Sequence, residues 1–261
     1  MAETPWQKSI RRAEDCAVQN PSSAELLGFY LYLARFQEGA YSRLFDSSPD
    51  SFSGPLKPDQ LLRDSSAFFL MVEKHGPAKL ADVALRLRST EIESGWPDLL
   101  SAIWSTAEYA PSEPQDFLAW ALLQPRAVAI LSRMAATGNS SSKRRCPFCG
   151  RRPGAGILRQ QGDGATRSLL CSFCLGEWEF RRIYCANCGE EDNHRLPVYK
   201  TSQFPHIRVE CCDTCKRYIK AVDLTKNGLA DPVADEIASA SLDLWAQEHA
   251  YVKLAPNLLG L

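Results

Sequence analysis

The sequence predicts an α+β protein: an N-terminal α-helical domain, two small metal-stapled β modules in tandem, and a C-terminal helix. Apolar residues recur at helical spacing up to about residue 136, four Cys-x2-Cys pairs crowd into residues 146–215, and a helical pattern returns after Lys220. The chain has 261 residues, 45% of them apolar and 23% charged, an ordinary balance for a globular protein long enough for more than one domain. No stretch approaches the roughly 20 consecutive apolar residues that a bilayer crossing requires.

Residues 1–136 form the expected helical domain. Leu26, Leu27, Tyr30, Leu31, Leu33 and Ala34 follow helical spacing, and Tyr41 and Leu44 continue the face, with Ser22 or Ser23 as the N-cap after Pro21. A second helix runs from about Leu61 to Lys74 and stops at Gly76-Pro77, and Leu80, Val83, Ala84 and Leu87 mark a third. Ile103, Trp104 and Ala107 belong to a short one. Phe117, Leu118, Ala121 and Leu122 open the last, which Pro125 is expected to kink or divide before Ile130, Leu131 and Met134. Cys16 reads as a small core residue. The small polar run 137–143 is the expected linker.

The cysteines carry the chemistry. Two residues between thiolates let one tight turn aim both sulfurs at a single ion, and a second such turn closes a tetrahedral shell. The pairs are Cys146/Cys149, Cys171/Cys174, Cys185/Cys188 and Cys212/Cys215, with 21, 10 and 23 residues between successive pairs. The long gaps lie inside modules, so the pairing expected is sequential rather than interleaved. Cys146, Cys149, Cys171 and Cys174 hold one metal, and Cys185, Cys188, Cys212 and Cys215 the other, each in a rubredoxin-like or zinc-ribbon unit. The modules span 144–182 and 183–222, and 223–261 supplies the C-terminal helix and tail, started by Asp231-Pro232. Gly150 and Gly189 follow the first knuckle of each module, where a left-handed residue lets backbone N–H groups point at sulfur. The second knuckles lack that glycine. Disulfides are the competing use of these cysteines, but Met1 to Ser9 has no apolar secretory core, which favours a reduced, cytoplasmic setting.

Four thiolates fill every position around a tetrahedral ion, so catalytic zinc is not expected and neither is an enzyme. Iron and zinc both suit the donor set. Between Lys143 and Lys220, 15 Lys/Arg stand against 8 Asp/Glu, a formal +7 within a chain of net charge −1. Two divalent ions in eight thiolates reduce that to about +3, so part of the excess compensates sulfur. Arg144, Arg145, Arg151, Arg152, Arg181 and Arg182, with Phe148, Phe173, Trp178 and Tyr184 nearby, also admit a nucleic-acid reading. The aromatic residues Trp178, Tyr184, Tyr199, Phe204 and Tyr218 are expected in the small cores around each ion. His194 and His206 are placed on the surface or in loops. Glu177 and Glu179, two apart on a strand, describe a solvated edge rather than a catalytic pair.

One family unites these motifs. Cys146-Pro-Phe-Cys-Gly150, Cys171-Ser-Phe-Cys174 with Trp178, Arg182-Ile-Tyr-Cys185-Ala-Asn-Cys188-Gly189, Arg208-Val-Glu-Cys-Cys212-Asp-Thr-Cys215-Lys-Arg-Tyr218-Ile-Lys220 and Asp231-Pro-Val-Ala-Asp235 resemble the formate dehydrogenase accessory proteins of the FdhE type. The resemblance covers residues 146–251. It implies a cytoplasmic, non-enzymatic assembly factor or chaperone that binds the formate dehydrogenase catalytic subunit, with two ions of iron or zinc on the eight cysteines. Cys211 stands where a small residue is usual and reads as a half-buried spare thiol, since Cys212 already completes the set. A nucleic-acid-binding zinc-ribbon protein and a rubredoxin-like electron or iron donor are the readings ranked below it.

Overall fold

Thr4 starts the first helix: its hydroxyl accepts from the Gln7 backbone N–H, the Gln7 side chain accepts from the Thr4 N–H, and Pro5 fills the first turn. The computed structural model describes residues 3–45, 58–89, 95–109, 111–134, 143–162 and 164–260. Helix α1 (Pro5–Gln19) buries Trp6, Ser9, Arg12, Ala13 and Cys16, spaced three or four apart, against α2 (Ala24–Phe45). Helices α3 (Pro58–His75), α4 (Ala78–Ser89) and α5 (Trp96–Ser105) follow, and α6 (Pro114–Arg133) runs through the middle. Every residue of α6 from Leu118 to Ile130 is buried, as a helix walled in on all sides requires. Pro125 lies inside this one continuous helix rather than dividing it. Buried Gln37 ties three helices together, accepting from the Trp6 indole at 3.0 Å and donating to the Ala121 carbonyl at 2.7 Å. The linker expected at 137–143 lies outside the described residues except for Lys143.

Seven strands form one sheet in the order β3-β2-β1-β6-β5-β4, with β7 added beside β6. Hairpin β1 (Pro153–Gln161) and β2 (Gly164–Cys171) with β3 (Glu177–Glu179) build the first half. The second half is β4 (Val198–Lys200), β5 (Ile207–Cys211) and β6 (Arg217–Asp223), all antiparallel. The two modules expected as separate ribbons therefore share a sheet, joined where β1 and β6 run parallel from Gly156 opposite Ala221 to Leu158 opposite Asp223. Gly156 permits that seam, because a Cβ there would sit 2.9 Å from the Ala221 Cβ.

The C-terminal segment is two short helices, α7 (Ala234–Ala238) and α8 (Ser241–Glu248), and the strand β7 (Val252–Lys253), rather than one helix and a tail. It straps the halves together. Arg12 of α1 makes a fork of 2.7 and 2.8 Å bonds to Asp235, Ser9 donates to Asp231 at 2.8 Å, and Ser23 donates to the Ala238 carbonyl at 2.7 Å. On the sheet side, fully buried Lys220 of β6 donates to Asp243 at 2.6 Å and to the Glu236 carbonyl at 2.5 Å, and Lys253 bridges Glu236 and Asp243. Two cations facing two carboxylates balance charge inside the core. His206, expected on the surface or in a loop, lies half-buried in the turn before β5 and completes the strap with its Nε2 at 2.7 Å from Asp235.

Burial opposes ionisation of Asp235, but Arg12, then His206 and the Asp231 backbone N–H, hold its carboxyl down at about 2. A depressed carboxylate stabilises the fold fully above its unfolded value of about 4. That contribution is lost as pH falls through about 2. Arg12→Met strands the buried carboxylate, so denaturant unfolding is expected to show a loss of about 3–5 kcal/mol, with acid unfolding beginning at higher pH. A loss under about 0.5 kcal/mol, the level of an ordinary surface substitution, would mean that this pair does not hold the strap.

Candidate metal centres

Each Cys-x2-Cys turn has the same backbone. The N–H of the first cysteine donates to the carbonyl five residues on: Cys146 to Arg151, Cys171 to Gly176, Cys185 to Glu190 and Cys212 to Arg217, all at 2.8–2.9 Å. The residue four places on is left-handed in every turn, at φ 77° for Gly150, 56° for Leu175, 84° for Gly189 and 55° for Lys216. The second knuckles thus adopt the same conformation without glycine, a strain of roughly 1–2 kcal/mol each that the surrounding pairing must offset. Backbone N–H groups reach sulfur as this conformation allows, with Phe173 N–H 3.4 Å from Cys171 and Asn187 N–H 3.4 Å from Cys185.

The turns meet in sequential order. Cys146, Cys149, Cys171 and Cys174 form one group, and Cys185, Cys188, Cys212 and Cys215 another, with all sulfurs of a group within 4.8 Å of one another. Sulfurs of Cys146 and Cys174 lie 3.6 Å apart and those of Cys149 and Cys171 3.4 Å; in the second group Cys185–Cys215 and Cys188–Cys212 are both 3.7 Å. Four soft donors around one point suit a tetrahedral ion such as iron or zinc and leave no position open for a substrate. The eight cysteines expected as ligands are thus brought together. Cys211 is not among them: it faces Val209, Tyr218, Ala246 and Tyr251, and burial pushes its thiol up to about 12. Cys16 is a core thiol under Asp235, likewise raised to about 12 by burial.

The thiols of a group differ in acidity. Hydrogen bonds from Cys149, Cys171 and Cys174 hold Cys146 far below its ordinary value, while burial pushes Cys171 up. In the second group burial opposes ionisation of Cys215, but the Asn187 side chain, the Arg217 backbone and its neighbouring thiols bring it to about 7.

The groups differ in their surroundings. The first is part of the main core: Cys171 and Cys174 are inaccessible, and Phe173 packs edge-on against Trp120 of α6 with centroids 4.7 Å apart. The Ser172 carbonyl, inside the second knuckle, accepts from Gln124 at 2.9 Å and Trp120 at 3.4 Å. Arg151 is buried here, its guanidinium 4.0 Å from the Phe173 ring and donating to the α5 carbonyls of Ile103 and Trp104. It joins the knuckle to α5. In sequence, Arg144, Arg145, Arg151 and Arg152 group as cations of a nucleic-acid surface, and nothing in that pattern marks Arg151 as the one that turns inward. The second group lies nearer solvent, with Cys188 exposed and Cys215 half-buried.

The aromatic residues behave mostly as core. Phe173, Trp178, Phe204 and Tyr218 are buried, and Tyr184 is half-buried. Tyr199 is the exception, 38% exposed and leaning on Trp245. Buried Phe173 and Trp178 offer no stacking face to a nucleic acid. His194 sits exposed in the turn Asn193–Arg195. Glu177 and Glu179 flank buried Trp178 on β3 as a solvated edge.

Residues 145–182 match the family description "FdhE, central domain" and residues 183–259 match "FdhE, C-terminal domain". A protein FdhE homolog of Aquifex aeolicus is 30% identical over 258 residues, covering 92% of this chain and 90% of its own length. One from Pseudomonas putida is 29% identical over 219 residues, covering 78% of this chain and 68% of its own length. The crystal structure of the FdhE protein from Pseudomonas aeruginosa superposes with a TM-score of 0.72 at 24% identity, covering 99% of this chain and 97% of that one.

Because the second group is the more exposed, chelator competition is expected to release metal in two phases, the faster from that site. Cys188→Ser should abolish the fast phase and leave one ion per chain by elemental analysis. Cys149→Ser should also leave one ion, but with added protease sensitivity in the helical half, which the first knuckle contacts. If both variants keep two ions, these cysteines are not ligands.

Proposed function

This chain belongs to the FdhE family of formate dehydrogenase accessory proteins, and from that premise we propose that it binds the formate dehydrogenase catalytic subunit and assists assembly of the active enzyme. Its eight clustered cysteines hold two metal ions, iron or zinc, that order the binding platform. The observation that carries this reading is the closed four-sulfur geometry within a chain of this family. A filled shell supports a fold and recruits no substrate, as an assembly factor requires and a hydrolytic metalloenzyme does not. All ten cysteines are free thiols, in keeping with a reducing, cytoplasmic place of work. No helix among the described residues is long and apolar enough to cross a membrane.

The exposure of Cys188 favours a second reading, in which an iron-loaded second site exchanges electrons or iron with the partner. Closed-shell zinc has no such chemistry.

Tagged protein expressed together with the catalytic subunit is expected to recover that subunit on purification, and less of it when Cys185→Ser and Cys212→Ser dismantle the second site. Failure to recover the subunit, together with tight oligonucleotide binding at physiological salt, would reverse this reading in favour of a nucleic-acid-binding protein.

A further inference from the structure

Between the two cysteine groups lies a groove of about 590 Å³, walled by Lys143, Arg144, Arg145, Arg152, Asn187 and Leu254. Among the described residues, four cations and the Cys146 thiol line it and no carboxylate does. Arg144 donates to the Asn187 backbone carbonyl at 2.7 Å, and Arg152 donates to the Asn187 side-chain oxygen at 3.1 Å. One residue of the third cysteine turn therefore holds two guanidinium groups side by side. Among the described residues, no ion pair engages Lys143, Arg144 or Arg152, and Arg145 meets only the largely exposed Glu108. Such a surface pair contributes little and is readily exchanged.

Crowding like charges has a cost that an anion would relieve. Partial burial, and then Arg145 and Arg217, lower the Arg152 guanidinium from its ordinary value. Sulfur charge acts here too, since buried Arg151 feels all four thiols of the first group and Arg152 feels Cys215 of the second, but it does not by itself set where the guanidinium groups stand. Arg144 and Arg152 are instead aimed along the groove by Asn187. The apolar walls are few, Pro147, Ala186 and Leu254, so the groove offers no side-chain pockets to a peptide. Its volume falls in the range of small-molecule sites, and paired planar guanidinium groups match phosphate oxygens two at a time.

We infer that this groove binds a small diphosphate-bearing ligand, with Arg144 and Arg152 as its principal contacts. The site is independent of which protein the chain assists. The full-length, metal-loaded protein would be titrated with inorganic pyrophosphate and with ADP by calorimetry at low ionic strength. Four-thiolate sites hold their ions too tightly for either probe to strip them.

One-to-one saturable binding is expected, with Arg144→Ala and Arg152→Ala each weakening it by about tenfold or more. Both side chains are exposed, so the fold is not at stake. Arg152→Lys should recover part of the affinity, and Arg35→Ala on the far helical surface none of the loss. Tighter binding of ADP than of pyrophosphate points to a nucleotide source, and equal binding to the diphosphate alone. The inference is overturned if neither probe saturates, if both arginine variants bind as the parent does, or if a glutamate hexapeptide or a single-stranded oligonucleotide binds these arginines more tightly than either probe.

Discussion

Four sulfurs drawn to one point inside the first module are the constraint on which the rest of the structure depends. A ribbon of roughly 40 residues cannot bury enough apolar surface to order its own loops, so its turns must be fixed by coordination or by a neighbour. The first module gathers four sulfurs that suit the first and packs on helices that supply the second. Its second knuckle presents Phe173 and the Ser172 carbonyl to α6, where Trp120 and Gln124 receive them, and its first knuckle sends Arg151 to the carbonyl end of α5. Those contacts need the knuckles in one conformation, including a left-handed Leu175 that an unconstrained chain would avoid. The helical half is thereby docked on a loop whose shape is set by its cysteines.

The second module is anchored differently. Its sheet joins the first through the parallel β1–β6 seam, and its cation Lys220 is buried beneath α7 and α8 with Glu236 and Asp243. Two of its cysteines, Cys188 and Cys215, are left near the surface because sheet pairing and the C-terminal strap, rather than a helix pressed on the knuckle, hold the strands. Two sites of identical donor chemistry thus have unequal surroundings: one is embedded in the core and the other looks outward. Ligand identity is the same in both, so any difference in their metal exchange or potential must come from burial and hydrogen bonding to sulfur.

Much of this was legible beforehand, and for a physical reason. Thiolate pairs two residues apart have few uses, so the grouping of eight cysteines followed from gap lengths, and the helices followed from apolar spacing in segments such as Leu26–Leu33. The single sheet was not legible, because short strands such as Ile207–Cys211 carry no record of which neighbour they choose; Gly156 opposite Ala221 is meaningful only once the strands are paired. Pro125 was misleading because a proline missing one helical bond can be tolerated where thirteen consecutive residues around it are packed on all sides. His206 and Asp235, 29 residues apart, form a hydrogen bond that only the return of the C-terminal strap creates.

The basic excess of the cysteine-rich region also divides once positions are known. Arg159, Arg181 and Arg145 pair with Glu177, Glu191 and Glu108 on the surface, and Arg167 and Arg208 share the half-buried Glu210, where desolvation opposes ionisation of the carboxyl but their charges hold it down. Arg151 faces the first sulfur group. Lys216 pairs with Asp213 and Lys220 with Glu236 and Asp243, and Arg195 and Lys200 are exposed elsewhere. The other five gather: Lys143, Arg144 and Arg152 line the groove between the two sulfur groups, and Arg182 and Arg217 line an adjoining cavity of about 410 Å³ that shares Ala186, Asn187 and Leu254 with it. A uniform counterion layer for eight thiolates would distribute cations around both groups. Five of them lie instead along one valley between the groups, where Asn187 fixes two guanidinium groups side by side.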